Sequence, residues 1–285
     1  MCYESEKLRG EGTPPTSARA RPSCLIHVKA WAVAIGQSVG LMSTTTTSTT
    51  PSFTPETTLG AIVAAQPALA RVFERLGLDY CCGGKQSLAA ACARKALDPQ
   101  TVVVMLEAAV AVVASGPVEV DAAGMTLSQL ADHIEQTHHV YVKAELPRLL
   151  EMAERVGRKH GWRDARLPEV YQTVLALTEE MMSHMQKEEA VLFPIVREIE
   201  GGAADGFHCG SIANPIRQME AEHESAGQAV AHLRDLTNGF TAGPEDCNTH
   251  RALLAGLAEF EADLHRHVHK ENNILFPRAL VRTGM

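Results

Sequence analysis

Aromatic residues are scarce in this 285-residue chain, at 5%. That leaves little of the material that favours sheets and, with Ala and Leu abundant, points to helix. No apolar run approaches the roughly 18 residues of a membrane-spanning helix, so no membrane partner is expected. Basic charge is short as well. The 26 Lys and Arg face 34 Asp and Glu, a formal charge of −8, which argues against nucleic acid, because phosphate binding needs a basic face. The seven cysteines (Cys2, Cys24, Cys81, Cys82, Cys92, Cys209, Cys247) form an odd, scattered set. A secreted disulfide framework would be denser and evenly paired, so a reducing, cytoplasmic setting is expected. What the chain has in surplus is histidine: of 13, all but His27 lie between His133 and His269. A local excess of the commonest metal-ligating side chain directs attention to a metal.

Residues 1–52 read as a disordered extension, because the stretches "GTPPTSARARPS" and "STTTTSTTPS" cannot bury enough apolar surface to offset ordering entropy. The weakly apolar "AWAVAIGQSVGLM" between them makes a poor signal peptide. Met42, directly before the Thr-rich stretch, is the expected true start. Residues 53–114 form a small helical domain around the turn "DYCCGGK", residues 115–124 a linker, and residues 125–285 a second domain. In the second domain the periodicity predicts helices at Thr126–Val156, Pro168–Glu200, Asn214–Leu236 and Glu245–Arg282. Breaks rich in Gly, Pro or Asp separate them. Four helices with modest loops imply an antiparallel bundle. The expected fold class is therefore all-α, a small N-terminal helical domain followed by a four-helix bundle.

The second and fourth predicted helices carry the same string. "HMQKEEAVLFP" begins at His184 and "HVHKENNILFP" at His267, agreeing at His, Lys, Glu, Leu, Phe and Pro. Residues four apart share a helix face, so His184 pairs with Glu188 and His267 with Glu271. The pairs fall on apolar stripes. One runs Leu177, Met181, His184, Glu188, Val191 or Leu192, Ile195; the other runs Phe260, Leu264, His267, Glu271, Ile274 or Leu275. A carboxylate in a bundle core costs several kcal/mol unless it is compensated, and two such pairs face to face invite a cation. The first helix offers His139, followed by Val142, Leu146 and Leu149, with His133 and His138 nearby; the third offers His223, between Ile216 and Val230. Four imidazoles and two carboxylates are too many ligands for a structural zinc, which closes at four. Carboxylates that each bridge two metals, with imidazoles capping the outside, fit a non-haem di-iron site, with di-manganese as second choice.

These residues resemble the hemerythrin-like (HHE) bundle. With "DYCCGGK" upstream, residues 56–282 resemble more specifically the bacterial repair-of-iron-centres family of di-iron proteins. Matched position by position, the resemblance implies that His139, His184, Glu188, His223, His267 and Glu271 ligate two iron ions bridged by carboxylates. It adds His160 as a candidate ligand ahead of the second helix. Oxygen-carrying hemerythrins place a further histidine one turn before the third-helix ligand. Here that position is Met219, which counts against a reversible oxygen carrier.

The vicinal pair Cys81–Cys82 sits at a turn loosened by Gly83 and Gly84. A disulfide between adjacent cysteines closes a strained ring and is readily reduced, so redox thiols, transient iron or nitrosyl handling, and packing all stay open. Cys92, Cys209 and Cys247 are assigned to packing or surface. The function implied is repair of iron–sulfur clusters damaged by nitrosative or oxidative stress, by iron donation to damaged iron–sulfur proteins. Nitric oxide binding or reduction at the same site is the alternative, which leaves open whether the protein is an enzyme. Oxygen or redox sensing ranks third, because no signalling domain accompanies the bundle. Association into a homodimer stays open.

Overall fold

The computed structural model describes residues 53–113, 120–202 and 211–284. The expectations for residues 1–52, the start at Met42 and the placement of Cys209 lie outside them. Among the described residues every regular element is a helix, and no helix is long and apolar enough to cross a membrane.

The N-terminal part holds α1 (Leu59–Ala65), a 3-10 turn (Pro67–Leu69), α2 (Ala70–Leu76), α3 (Leu88–Arg94) and α4 (Pro99–Val113). Pro67 separates α1 from α2 and starts the short 3-10 turn, a first-turn position where its missing N–H costs no hydrogen bond to a preceding carbonyl. Thr58 and Ser87 cap α1 and α3 through their hydroxyls. They are also bridged, with Leu59 N–H donating to Gln86 O and Leu88 N–H to Thr57 O. Leu59, Ile62, Phe73, Tyr80, Leu88 and Leu106 fill the core beneath.

The bundle follows. α5 (Leu127–Ile134) continues through a π-helical turn (Glu135–His139) into α6 (Val140–His160). α7 (Arg166–Lys187) likewise passes through Glu188–Leu192 into α8 (Phe193–Glu200). α9 (Ala213–Leu236) is unbroken, and α10 (Asn248–Lys270) passes through Glu271–Leu275 into α11 (Phe276–Arg282). α6 packs on α7 and α10, α7 on α9, and α5 on α8. The first long helix runs to His160 rather than ending at Val156, with consequences for the site.

Two apolar plugs fill the bundle. One is built from residues such as Val142, Leu146, Leu177, Met181, Ala226, Phe260 and Leu264. The other holds Leu130, Leu192, Phe193, Ile216, Met219, Leu275 and Phe276. Each long helix carries a polar residue where it crosses from one plug to the other. The π turns sit at that level and explain a local error of the periodic stripe. A π turn inserts a residue into the helical register, so Leu192 and Val196 are buried while Val191 is 48% exposed. Pro194 and Pro277 lie just after two of these turns. A proline ring clashes with the carbonyl four residues back in a regular α-helix, and the wider turn makes room for it.

Candidate metal centre

The layer between the plugs holds His139, His184, Glu188, His223, His267 and Glu271, each at most 2% exposed. His139 closes the first π turn, and Glu188 and Glu271 open the other two. All four Nε2 atoms point inward. His139 and His184 each place Nε2 3.3 Å from Glu188 Oε2. His223 Nε2 lies 3.0 Å from Glu271 Oε2, and His267 Nε2 3.1 Å from Glu271 Oε1. The ligand-type atoms form two groups, His139–Glu188–His267–Glu271 and His184–Glu188–His223–Glu271. Both carboxylates belong to both groups.

Three of the four outward nitrogens are tied down. His139 Nδ1 is 2.7 Å from Glu189 Oε1, and Glu189 also accepts from Lys143 Nζ at 2.6 Å. His184 Nδ1 is 2.9 Å from Glu222 Oε2, with Lys187 donating to the same carboxylate. His223 Nδ1 is 2.9 Å from Asn272 Oδ1. An oxygen acceptor at Nδ1 holds the proton there and leaves the Nε2 lone pair facing inward, the tautomer a metal ligand needs.

Does this cradle fit a cation? Both oxygens of Glu188, Glu271 Oε2 and His139 Nε2 are buried without a hydrogen bond. His184 Nε2 and His223 Nε2 stand 3.0 Å apart, nitrogen against nitrogen. Native interiors rarely leave such atoms unsatisfied, and one class of occupant, a metal cation, satisfies them together. Protons substitute only in part. Burial pushes the His184 imidazole down, but the Glu188 carboxylate, aided by Glu271 and Glu222, lifts it to about 9. Burial and Glu271 push Glu188 up, but His184 and His139 overcome both and lower it. Burial also opposes ionisation of Glu271, which His267 and His223 hold well below the usual carboxylate range. The carboxylates thus stay charged in a core that would otherwise neutralise them.

A family model described as the hemerythrin HHE cation binding domain matches residues 117–279. A second, described as a domain of unknown function (DUF542), matches residues 55–110. The iron-sulfur cluster repair protein YtfE of Escherichia coli O81 (strain ED1a) is 39% identical over 222 residues, which span 78% of this chain and 96% of that protein. The protein of the same description from Escherichia fergusonii is 38% identical over the same shares. This chain belongs to the YtfE family of hemerythrin-like proteins. Its buried donor set, nitrogen and carboxylate oxygen without thiolate, is of the kind that holds non-haem iron in this fold.

Six of the seven expected ligands therefore converge. His160 does not. It is the last residue of α6, 21 positions beyond His139, and at about 1.5 Å per residue it sits about 30 Å along the helix. Its carbonyl accepts from Arg163 N–H and Asp164 N–H in the turn that ends the helix. The expectation of a fifth imidazole, the seventh ligand, at the site is corrected on this ground: α6 carries His160 to the opposite end of the bundle. Met219, at the position of the additional hemerythrin histidine, packs into an apolar plug.

The cysteine turn docks on the bundle near the site. Asp79 Oδ1 accepts from the N–H groups of Cys81 and Cys82 and from the Cys81 thiol at 3.2 Å, and Oδ2 accepts from Gly83 N–H. Both thiols are free. Cys81 enters the bundle core, and its thiol is pushed well up by Cys82, burial and Asp79, so it stays protonated at neutral pH. Cys82 lines a cleft of about 640 Å³ between the N-terminal helices and α9–α10. Asn273 Nδ2 donates to Cys81 O at 2.9 Å. A Cβ at Gly60 or Gly84 would fall 2.4 or 2.2 Å from Asn273 Oδ1, so this approach requires glycine at both positions. Cys92 packs in the N-terminal core and Cys247 is half-buried at the N-cap of α10.

Sequence reasoning missed the outer partners. Glu189 and Asn272 each follow a core glutamate directly, and that adjacency was the available signal. Glu222, on a different helix from His184, gave none.

Proposed function

We propose that this protein is a di-iron protein that repairs iron–sulfur clusters damaged by nitrosative or oxidative stress, by donating iron to the damaged protein. The observation that carries the reading is the pair of four-donor groups sharing Glu188 and Glu271. Two ions held this way have carboxylates in common and imidazole caps of their own: His139 and His267 for one, His184 and His223 for the other. The relatives named as iron-sulfur cluster repair proteins support the acceptor class. Iron supplies the chemistry, cycling between ferrous and ferric states. The chain supplies Nε2 lone pairs fixed by their Nδ1 partners, a charge of −2 from the carboxylates, and apolar plugs that exclude water.

Six ligands for two ions leave coordination positions open, and His160 is too distant to fill one. That favours a second reading, in which nitric oxide binds or is reduced at the same site. The test is anaerobic. Iron-loaded protein is incubated with a [4Fe–4S] hydro-lyase inactivated by nitric oxide, and recovered activity is compared with recovery in free ferrous iron plus chelator. Recovery that resists the chelator supports donation. No recovery, with nitrous oxide formed over many turnovers in the headspace when nitric oxide and an electron donor are supplied, replaces it with the enzyme reading. The setting expected is the cytoplasm, where such acceptors are made.

A further inference from the structure

His267 is the exception among the four imidazoles. Its Nε2 faces Glu271, so the ligating tautomer carries its proton on Nδ1. That Nδ1 is wholly buried with no hydrogen-bond partner. One turn earlier on the same helix stands Asp263. Its Oδ1 receives His138 Nδ1–H at 2.9 Å, with Arg266 at 3.6 Å, while its Oδ2 is also buried and without a partner. His138 in turn lies flat on His267, ring centroids 5.3 Å apart and planes within 2°. Its Nε2 accepts from Lys270 Nζ at 2.7 Å. An orphan donor and an orphan acceptor thus sit four residues apart on one helical face, each destabilising while unpaired.

We infer that Asp263 is the positioning residue for His267, its free Oδ2 taking the Nδ1–H of the ligating imidazole. The terminal torsion of an aspartate is broad, so a small turn of the carboxylate serves His138 with one oxygen and His267 with the other. The other three imidazoles have an oxygen at Nδ1 already. Asp263 completes the set, and it acts on the ion capped by His139 and His267. The inference rests on the di-iron reading above.

The experiment uses full-length, iron-loaded protein under anaerobic conditions and follows iron loss to a ferrous chelator. Asp263→Ala should speed release of one of the two irons by about 10–100-fold, the usual effect of removing an outer-shell partner, and leave the other phase unchanged. In the proton NMR spectrum of the diferrous protein, one exchangeable imidazole N–H should disappear through fast exchange. Should the alanine variant fail to fold, Asp263→Asn keeps the shape but offers one carbonyl oxygen for two donors, and release should accelerate in the same direction. His138→Phe keeps the ring stack and removes the competing donor, and should leave release and the N–H signal unchanged. Unaltered release in the Asp263 variants, or a His138→Phe variant that reproduces them, overturns the inference alone. Wild-type protein that binds no iron overturns it together with the di-iron reading.

Discussion

Replacing Glu188 by alanine should cost the protein both metal ions rather than one. Glu188 and Glu271 belong to both four-donor groups, so loss of Glu188 leaves three donors in each. His184→Ala, by contrast, removes a donor from one group only. Breaking a buried charge contact by removing one partner costs about 3–5 kcal/mol, which is about a hundredfold to a few thousandfold in affinity for each ion. Anaerobic iron analysis against a graded chelator series gives the answer, with far-ultraviolet circular dichroism as the check on folding. Glu188→Ala should retain little iron at chelator concentrations where His184→Ala still holds one ion per chain. Equal iron in the two variants would show that Glu188 serves a single metal and would refute the shared-carboxylate reasoning.

The same variant makes a pH prediction in the metal-free state. His184 has a folded pKa raised to about 9, chiefly through Glu188 working against burial. Its unfolded value is about 6.5. The stabilisation is therefore fully present below about pH 6.5 and is lost as pH rises through about 9. A shift of that size corresponds to at most about 3 kcal/mol, shared with Glu271 and offset by the cost of burying Glu188. Denaturant titrations of the iron-free wild type and Glu188→Ala should show their stability difference moving against the wild type between those two pH values. A difference independent of pH would mean that the imidazole takes no proton in the empty site.

Three further outcomes are expected. Glu200 accepts from Leu127 N–H, Ser128 N–H and the Thr126 hydroxyl at the start of α5, and these bonds overcome burial to hold its carboxyl at about 2. After allowance for solvent screening, Glu200→Gln should cost about 1 kcal/mol at neutral pH by urea denaturation, and the difference should vanish as pH falls from about 4.5 towards 2. His160→Ala should leave iron per chain unchanged, and loss of an ion would return His160 to the ligand set. Cys81→Ser combined with Cys82→Ser should also leave iron content unchanged while weakening reactivation of a damaged iron–sulfur acceptor; lost iron would place thiols in the metal site, and unimpaired reactivation would leave them a packing role.

Local spacing was legible and long-range register was not. His184–Glu188 and His267–Glu271 could be paired from sequence because four residues on a helix fix a shared face whatever surrounds it. His139 and His223 followed from the apolar residues on their own helices. His160 failed because it came from matching a family position and not from helix geometry: even the predicted end at Val156 lies 17 residues, about 25 Å, past His139. The π turns were hidden for a different reason: the apolar residues after Glu188 fit a 3.6-residue period about as well with Val191 as with Leu192. Packing chose Leu192. Glu222 was invisible because its role depends on how α7 and α9 are set against each other.

The repeated strings are alike where they touch the shared carboxylates and unlike one residue later, and that difference carries physical meaning. Glu189 follows Glu188 and backs His139 with a carboxylate, itself held by Lys143. Asn272 follows Glu271 and backs His223 with a neutral amide. Glu222, from the third long helix, supplies a carboxylate to His184. Each four-donor group therefore has one imidazole backed by a carboxylate and one that is not. A carboxylate behind an imidazole raises its basicity as a ligand, so in this arrangement the groups are matched in charge although their helices are not. Asp263 breaks the match. Once its free oxygen engages His267, the His139–His267 group has two carboxylate-backed imidazoles against one in the other group. On that proposal the pseudo-symmetric backbone offers two inequivalent positions, and an ion between His184 and His223 is expected to leave first when iron loss to a ferrous chelator is followed.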